Sequence, residues 1–222
     1  ATVKAMILSA GRGNRLRPLT DKIPKPLVRV GQDTLIEHHL RKLSAANFDS
    51  VIINTAHLGD KIQDFLGDGS SYNIAIEYSH EGDQALETGG GIAYALPMLG
   101  NQPFLAVSAD IYTEMPFDPR FKLNDAAMHL MMVNNPAHHP EGDFTGVELG
   151  LADDQQRYTY SGVAYLNPAR FTHGRRAFPL VTHSRDCIPA KNISAEVFNG
   201  AWFDVGTASR LHAANKFALG MT

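Results

Sequence analysis

Between Lys4 and Asp110 the chain alternates short, nearly unbroken apolar runs with stretches of helical period, and few folds accept that pattern. VKAMILS (3–9), SVIINTA (Ser50–Ala56), IAIEYS (Ile74–Ser79) and PFLAVSAD (Pro103–Asp110) read as strands. Among the segments between them, TLIEHHLRKLSAAN sets Leu35, Ile36, Leu40 and Leu43 on one side of a helix, and GDKIQDFLGDG and TGGGIAYALPML read as two more. A strand that is apolar on both faces must be covered on both. The pattern therefore predicts an α/β fold, a mixed, mainly parallel sheet flanked by helices and joined by right-handed crossovers.

After Asp110 the pattern changes. AAMHLMMVNN (Ala126–Asn135) is another buried run, but YTYSGVAYLNP alternates as an antiparallel strand does, and the acidic stretch ELGLADDQQR between them reads as a hairpin loop. AWFDVGTASRLHAANKFAL reads as a strand, a turn and a closing helix. At 222 residues, with no repeat or low-complexity linker, one compact domain is expected over 1–222, its halves dividing near residue 110. A net charge of −3 argues against a nucleic-acid binder that works by bulk neutralisation of phosphate, so any cationic site must be local. The one cysteine, Cys187, excludes an internal disulfide framework and suits a reducing compartment. No signal-like leader and no bilayer-length apolar window is visible, and a soluble, cytoplasmic protein without membrane partners is expected.

Local positive charge is concentrated in ILSAGRGNRLRPLTDKIPKP, residues 7–26. Gly11 and Gly13 would let the backbone take positive φ and bring its N–H groups close to an anion, while Arg12, Arg15, Arg17 and Lys25 surround it with cations. Prolines on both sides of Lys25 would aim it from a stiff extended segment. The glycines precede no GK[ST] and lack the GxGxxG spacing, so this is neither a Walker A loop nor a Rossmann turn. Asp110 ends one apolar run, where open α/β sheets bind ligands, and Asp204 ends another. Two carboxylates from separate strand ends suit Mg²⁺, a hard cation that keeps waters and shares substrate phosphates. A helix N-cap for Asp110 and a turn role for Asp204 account for the spacing equally well. The pairs His38-His39 and His138-His139 lack zinc-ligand spacing.

Strand, arginine-bearing loop and PKP together closely resemble the nucleotide-binding segment of the sugar-1-phosphate nucleotidyltransferases. That resemblance implies a Rossmann-like nucleotide-diphospho-sugar transferase core of the GT-A type. It implies NTP contacts from Gly11, Arg12, Gly13, Asn14, Arg15 and Lys25, with Arg15 on the β/γ-phosphates and Lys25 on the α-phosphate as catalytic cations. FDVGT at Phe203–Thr207 matches the family's second metal aspartate, so Asp110 and Asp204 are implied Mg²⁺ ligands; Ser108-Ala109 departs from the Asn-Gly common before the first. EGDQALETGGG (Glu81–Gly91) resembles the family's base-reading segment, with Glu81, Gln84, Gly89 and Gly90 as candidates and the glycine amides expected to be free at a helix start. NPAHHPEGDF with ETGGG and Ser161-Gly162 looks like the short N-acetylmuramate-1-phosphate uridylyltransferases of cell-wall recycling. It implies acceptor contacts from Ser108, Gly142, Asp143, Ser161 and Gly162. The resemblance implies only small-molecule partners, UTP and N-acetylmuramate 1-phosphate, and a monomer or weak homo-oligomer with no domain after the closing helix. Glucose, mannose or heptose 1-phosphate with UTP, dTTP or GTP, phosphocholine with CTP, and a non-catalytic nucleotide-binding module are the alternatives.

Overall fold

The structure is a computed structural model that describes residues 2–153, 155–171, 176–189 and 192–221. Its centre is β1 (Lys4–Leu8), a strand with Ala5 and Ile7 on one face, Met6 and Leu8 on the other, and almost no exposed surface. Helix α1 (Leu35–Ala45) leads to β2 (Ser50–Thr55), α2 (Gly59–Leu66) to β3 (Ala75–His80), and α3 (Glu87–Leu99) to β4 (Phe104–Ser108). Strand β1 pairs in parallel with β2 and β4, and β2 in parallel with β3. The expected parallel half is therefore present, with its strand ends on one edge.

Beyond Asp110 come a short strand β5 (Ile111–Thr113), then β6 (Met128–Asn134) and the long β7 (Arg157–Leu166). Strand β7 runs antiparallel to both β4 and β6 and carries a bulge between Tyr160 and Val163. The stretch expected to be a plain hairpin loop, residues 148–157, opens on the last two residues of a short helix, Gly146–Leu149, which starts at a capping box formed by Thr145 and Glu148. Residue 154 of that stretch lies outside the described residues. Two elements not expected from the sequence follow, α4 (Leu180–Cys187) and β8 (Ile193–Val197), which adds in parallel to β6 at the sheet edge. The chain closes with β9 (Trp202–Asp204) and α5 (Ala208–Ala218). The main sheet runs β8-β6-β7-β4-β1-β2-β3.

Helices α1 and α2 cover one face of the sheet, and α3 and α4 the other. Helix α1 also faces two ways: Ile36, Leu40 and Leu43 join the sheet core, whereas Leu35 joins Val28, Val30, Val205 and Ala214 in a smaller core beneath α5. Its start is fixed by a buried capping box, in which the Glu37 N–H donates to Thr34 Oγ1 at 3.3 Å and the Thr34 N–H to Glu37 Oε1 at 3.0 Å. On the same helix His39 is fully buried, and neither ring nitrogen has a hydrogen-bond partner by strict geometry. Burial above all, then Lys42 and His38, pushes His39 from the ordinary histidine range down to about 3, with backbone groups of Ile111 and Ala109 opposing in part. Lys42, pushed down to about 8 by burial, donates to the carbonyls of Thr113, at 3.0 Å, and Met115. These bonds pin β5 to the helix.

Thr34→Ala removes one half of the capping box and is expected to cost about 1 kcal/mol, lowering Tm by about 2–4 °C in thermal melts. Because folded His39 holds no proton between pH 6.5 and about 3 while the unfolded chain does, acid in that window favours unfolding. His39→Leu should flatten the fall of Tm between about pH 6.5 and 4; an unchanged slope would show that His39 does not titrate as its burial requires.

Candidate active site

The carboxyl edge of β1, β2 and β4 opens into a cleft of about 380 Å³. Loop 9–17 forms one wall, Asn54 and Glu81 the floor, and Ser108 to Asp110 the far side, with Gly206 at its margin. Only Gly13 of the two loop glycines takes positive φ, at +69°, and a β-carbon there would come within 3.0 Å of Thr20 Cγ2 and 3.3 Å of Lys25 Cβ. Gly11 does not, correcting the expectation for it; a β-carbon at Gly11 would meet nothing within 4 Å. Absence of a side chain at Gly11 therefore keeps the cleft wall bare. Asn14 and Arg15, in a 3₁₀ turn Asn14–Leu16, line the cleft and are exposed. Arg12 is exposed but does not line the cleft, and Arg17 is taken by an ion pair with Asp21 at 2.7 Å.

Lys25 is 8% exposed and donates from Nζ to Asp110 Oδ2 at 3.0 Å. Its backbone corrects the expectation of an extended segment: Pro24 is extended, but Lys25 opens a 3₁₀ turn through Leu27. The Asp110 side chain is 43% exposed. Strand β4 ends at Ser108, and a turn at Ala109-Asp110 leads into β5, so Asp110 is neither a strand residue nor a helix cap. Strand β9 pairs antiparallel with β5, and the Val205 N–H donates to the Asp110 carbonyl at 2.9 Å. That pairing brings together two aspartates that lie 94 positions apart in the numbering, 204 against 110. Asp204 is 26% exposed; its Oδ2 lies 3.2 Å from His138 Nε2 and 3.7 Å from the Arg210 guanidinium. Among the described residues no group of three or more His, Cys, Asp or Glu side chains gathers to hold an ion. Asp110 lines the cleft, whereas Asp204 stands outside its lining, two residues before the cleft-lining Gly206; two carboxylates on adjoining segments fit a hard cation that completes its shell with water and phosphate oxygens.

The floor is a buried polar relay absent from the sequence reading except at Glu81. Asn54 Oδ1 accepts the Ser9 N–H at 2.7 Å, Asn54 Nδ2 donates to Glu81 Oε1 at 2.7 Å, and the Leu86 N–H donates to Glu81 Oε2 at 3.3 Å. Burial pushes the Glu81 carboxyl above the ordinary range, with Asn54 and Leu86 pulling against it. Asn54 ends the apolar run Val51–Ile53 inside a strand that stays buried to its last residue, the one signal that could have singled it out. Ser9, also in the cleft lining, is 3% exposed with its hydroxyl unpartnered.

Here the glycines of α3 carry a correction. The Gly89 and Gly90 N–H groups are not free: both donate to the Phe178 carbonyl, at 2.9 and 3.1 Å. A β-carbon at Gly89 would sit 2.2 Å from the Phe178 ring, and one at Gly90 2.5 Å from the Arg176 carbonyl. Both residues let segment 176–178 pack on the helix. Gly91 is the one beside the relay, since its β-carbon would fall 2.6 Å from Glu81 Oε1 and 2.7 Å from Asn54 Nδ2. Gln84 is exposed and does not line the cleft.

Of the five residues expected to contact the acceptor, only Ser108 lines the cleft. Gly162, at φ +88° in the β7 bulge, would place a β-carbon 3.0 Å from Ser108 Oγ. The neighbouring Ser161 is buried, its hydroxyl accepting the Val163 N–H at 3.1 Å and its carbonyl the Trp202 indole N–H at 2.9 Å. Gly142 takes φ +59°, and Asp143 accepts the Tyr160 N–H at 2.8 Å. These residues shape the bulge and the loop beside it without reaching the cleft. Cys187 is half-buried, its thiol pushed up by burial, and lies 3.9 Å from His183 Nε2 on the same helix.

The model of the nucleotidyl transferase family matches residues 4–157, which span the cationic loop, the relay and Asp110. The chain belongs to that family. It is 42% identical to the N-acetylmuramate alpha-1-phosphate uridylyltransferase of Neisseria meningitidis serogroup B, over 97% of this chain and 98% of that one. A protein of the same description from Caulobacter vibrioides is also 42% identical, over 48% of this chain and 45% of its own. Among solved structures, HddC from Yersinia pseudotuberculosis complexed with GMP-PN superposes with a TM-score of 0.78 at 19% identity, covering 97% of this chain and 99% of that one. At that identity the likeness establishes the fold. No helix among the described residues of this nucleotidyl transferase is long and apolar enough to cross a membrane.

Gly91→Ala should push Glu81 and Asn54 apart and leave both buried groups without their mutual bond, a loss of about 1–3 kcal/mol in denaturant unfolding. Nucleotide titration should show weaker binding in the same variant; an unchanged Kd would separate the relay from the cleft.

Proposed function

We propose that this nucleotidyl transferase carries the uridylyl group of UTP to a sugar 1-phosphate, N-acetylmuramate 1-phosphate, releasing pyrophosphate. The observation that carries this reading is the meeting of Lys25, Asp110 and the arginine-bearing loop around one cleft, in a chain alike over 97% of its length to a relative of that description. An acceptor phosphate oxygen attacks the α-phosphorus in line; the new P–O bond forms as the bond to the pyrophosphate oxygen breaks. Both reactants are anions, so the barrier is largely electrostatic.

Lys25 answers that barrier at the α-phosphate. Its side chain is 10% exposed, so its charge acts with little water between it and the phosphate, and Asp110 fixes its Nζ at 3.0 Å. Arg15, exposed on the cleft wall, meets the β- and γ-phosphates. Gly11, Gly13 and Asn14 line the rest of the phosphate loop, and Arg12, outside the cleft lining, adds its charge at the rim. Glu81 with the Asn54 relay faces the base, and Ser108 the acceptor. A bound Mg²⁺, held by Asp110 and Asp204, would neutralise phosphate charge and orient the triphosphate. The acceptor phosphate is already ionised at neutral pH, so no general base is required.

Pyrophosphate release measured with Mg²⁺, four NTPs and a set of sugar 1-phosphates and phosphocholine tests the assignment; UTP with N-acetylmuramate 1-phosphate should give the highest kcat/KM, and another pair at the top would replace that substrate assignment. Lys25→Ala should lower kcat by about 10²–10³-fold with an unchanged circular dichroism spectrum. A near-normal rate would refute its role.

A further inference from the structure

The contact between His138 and Asp204 joins segments 66 residues apart, and the phosphate chemistry above makes no use of it. His138 Nε2 lies 3.2 Å from Asp204 Oδ2. A carboxylate can only accept, so Nε2 bears the proton in this contact. From the other side Arg210, in the first turn of α5, donates from Nε to the Asp204 carbonyl at 3.0 Å and sets its NH2 3.7 Å from the same Oδ2. The guanidinium fits there because residue 206 has no side chain: a β-carbon would fall 1.9 Å from Arg210 NH2. That β-carbon would also lie 3.1 Å from Asp204 Oδ1, and Gly206 lines the cleft. One oxygen of Asp204 is thus engaged from two elements, and the other lies on the side of the cleft-lining glycine.

His138 is not a loose surface side chain. Its loop is braced internally, with Asn135 Nδ2 donating to the Pro140 carbonyl at 3.0 Å and Asn135 Oδ1 accepting from Thr159 at 2.8 Å. The base of the loop is tied to β7 by the Asp143 N–H, which donates to the Tyr158 carbonyl at 2.7 Å. The imidazole itself is 32% exposed.

We infer that His138 is a positioning residue for Asp204: it holds Oδ2 so that Oδ1 is presented to a divalent cation in the cleft, and it thereby couples the Asn135–Asp143 loop to cation binding. This rests on the reading of Asp204 as a cation ligand. Hydrogen-bond partners of metal ligands fix ligand orientation, and their loss typically weakens metal binding about 10–100-fold. Linkage makes the effect reciprocal, so a bound cation must also steady the loop.

The test is Mn²⁺ binding followed by electron paramagnetic resonance, with and without a non-hydrolysable UTP analogue. It compares the parent, His138→Ala, His138→Gln and Asp204→Asn, each first checked for a parent-like melt. His138→Ala should bind Mn²⁺ about tenfold more weakly, and His138→Gln, which keeps a donor, should recover most of that loss. Hydrogen exchange at residues 135–143 should slow on adding Mn²⁺ in the parent and not in His138→Ala. If His138→Ala binds Mn²⁺ as the parent does while Asp204→Asn is weakened, the positioning role is overturned and the cation reading stands. Unchanged binding in Asp204→Asn overturns both.

Discussion

Three parallel strands in register hold this active site together. Leu8 of β1 lies opposite Asn54 of β2 on one side and Ser108 of β4 on the other. The loop that follows Leu8, the relay that begins at Asn54 and the turn that follows Ser108 therefore leave the sheet at one level. A slip of one residue would exchange Ala5 and Ile7 with Met6 and Leu8 between two separate, closely packed cores, so the register is set by side-chain shape on each face. The cleft is the space left where three strands end together and their connections diverge.

A second, smaller pairing completes the site. Strands β5 and β9 share only three register pairs, yet they bring Asp204 beside Asp110. That pair is braced from α1, whose Lys42 is bonded to the chain leaving β5, and from α5, whose Arg210 grips the Asp204 backbone. The carboxylates are consequently set by helices on both sides of them, while Lys25 reaches Asp110 from the opposite wall. Charge of one sign is held against charge of the other across the cleft.

Much of this was legible in the residues. Largely apolar runs marked β1, β2, β4 and β6, the mixed run Ile74–Ser79 marked β3, and the alternation of Tyr158–Pro168 marked the antiparallel β7, because side-chain period is a local property that neighbours in sequence express. The crowding of Arg12, Arg15, Arg17 and Lys25 near two glycines was likewise visible as local charge. Less legible were α4, whose mostly polar side chains hide its partial burial against α3, and β8, where Ile193, Ala195 and Val197 alternate with Ser194 and Glu196 over only five residues. Gly89 and Gly90 misled for a related reason: a glycine run at a helix start looks the same whether its amides await a ligand or receive a neighbouring carbonyl, and here Phe178 supplies one.

The sequence by itself determined the alternating α/β order, the cationic loop and the family of the chain, since these rest on residues adjacent or periodically spaced along the polymer. Tertiary structure alone decided that Asp204 is set opposite Ile111, next to Asp110, and touches His138, that Asn54 links Ser9 to Glu81, and that Gly91 rather than Gly89 borders the cleft floor. Those relations depend on which distant segments pack together once the apolar surface is buried, and no short-range pattern encodes that choice.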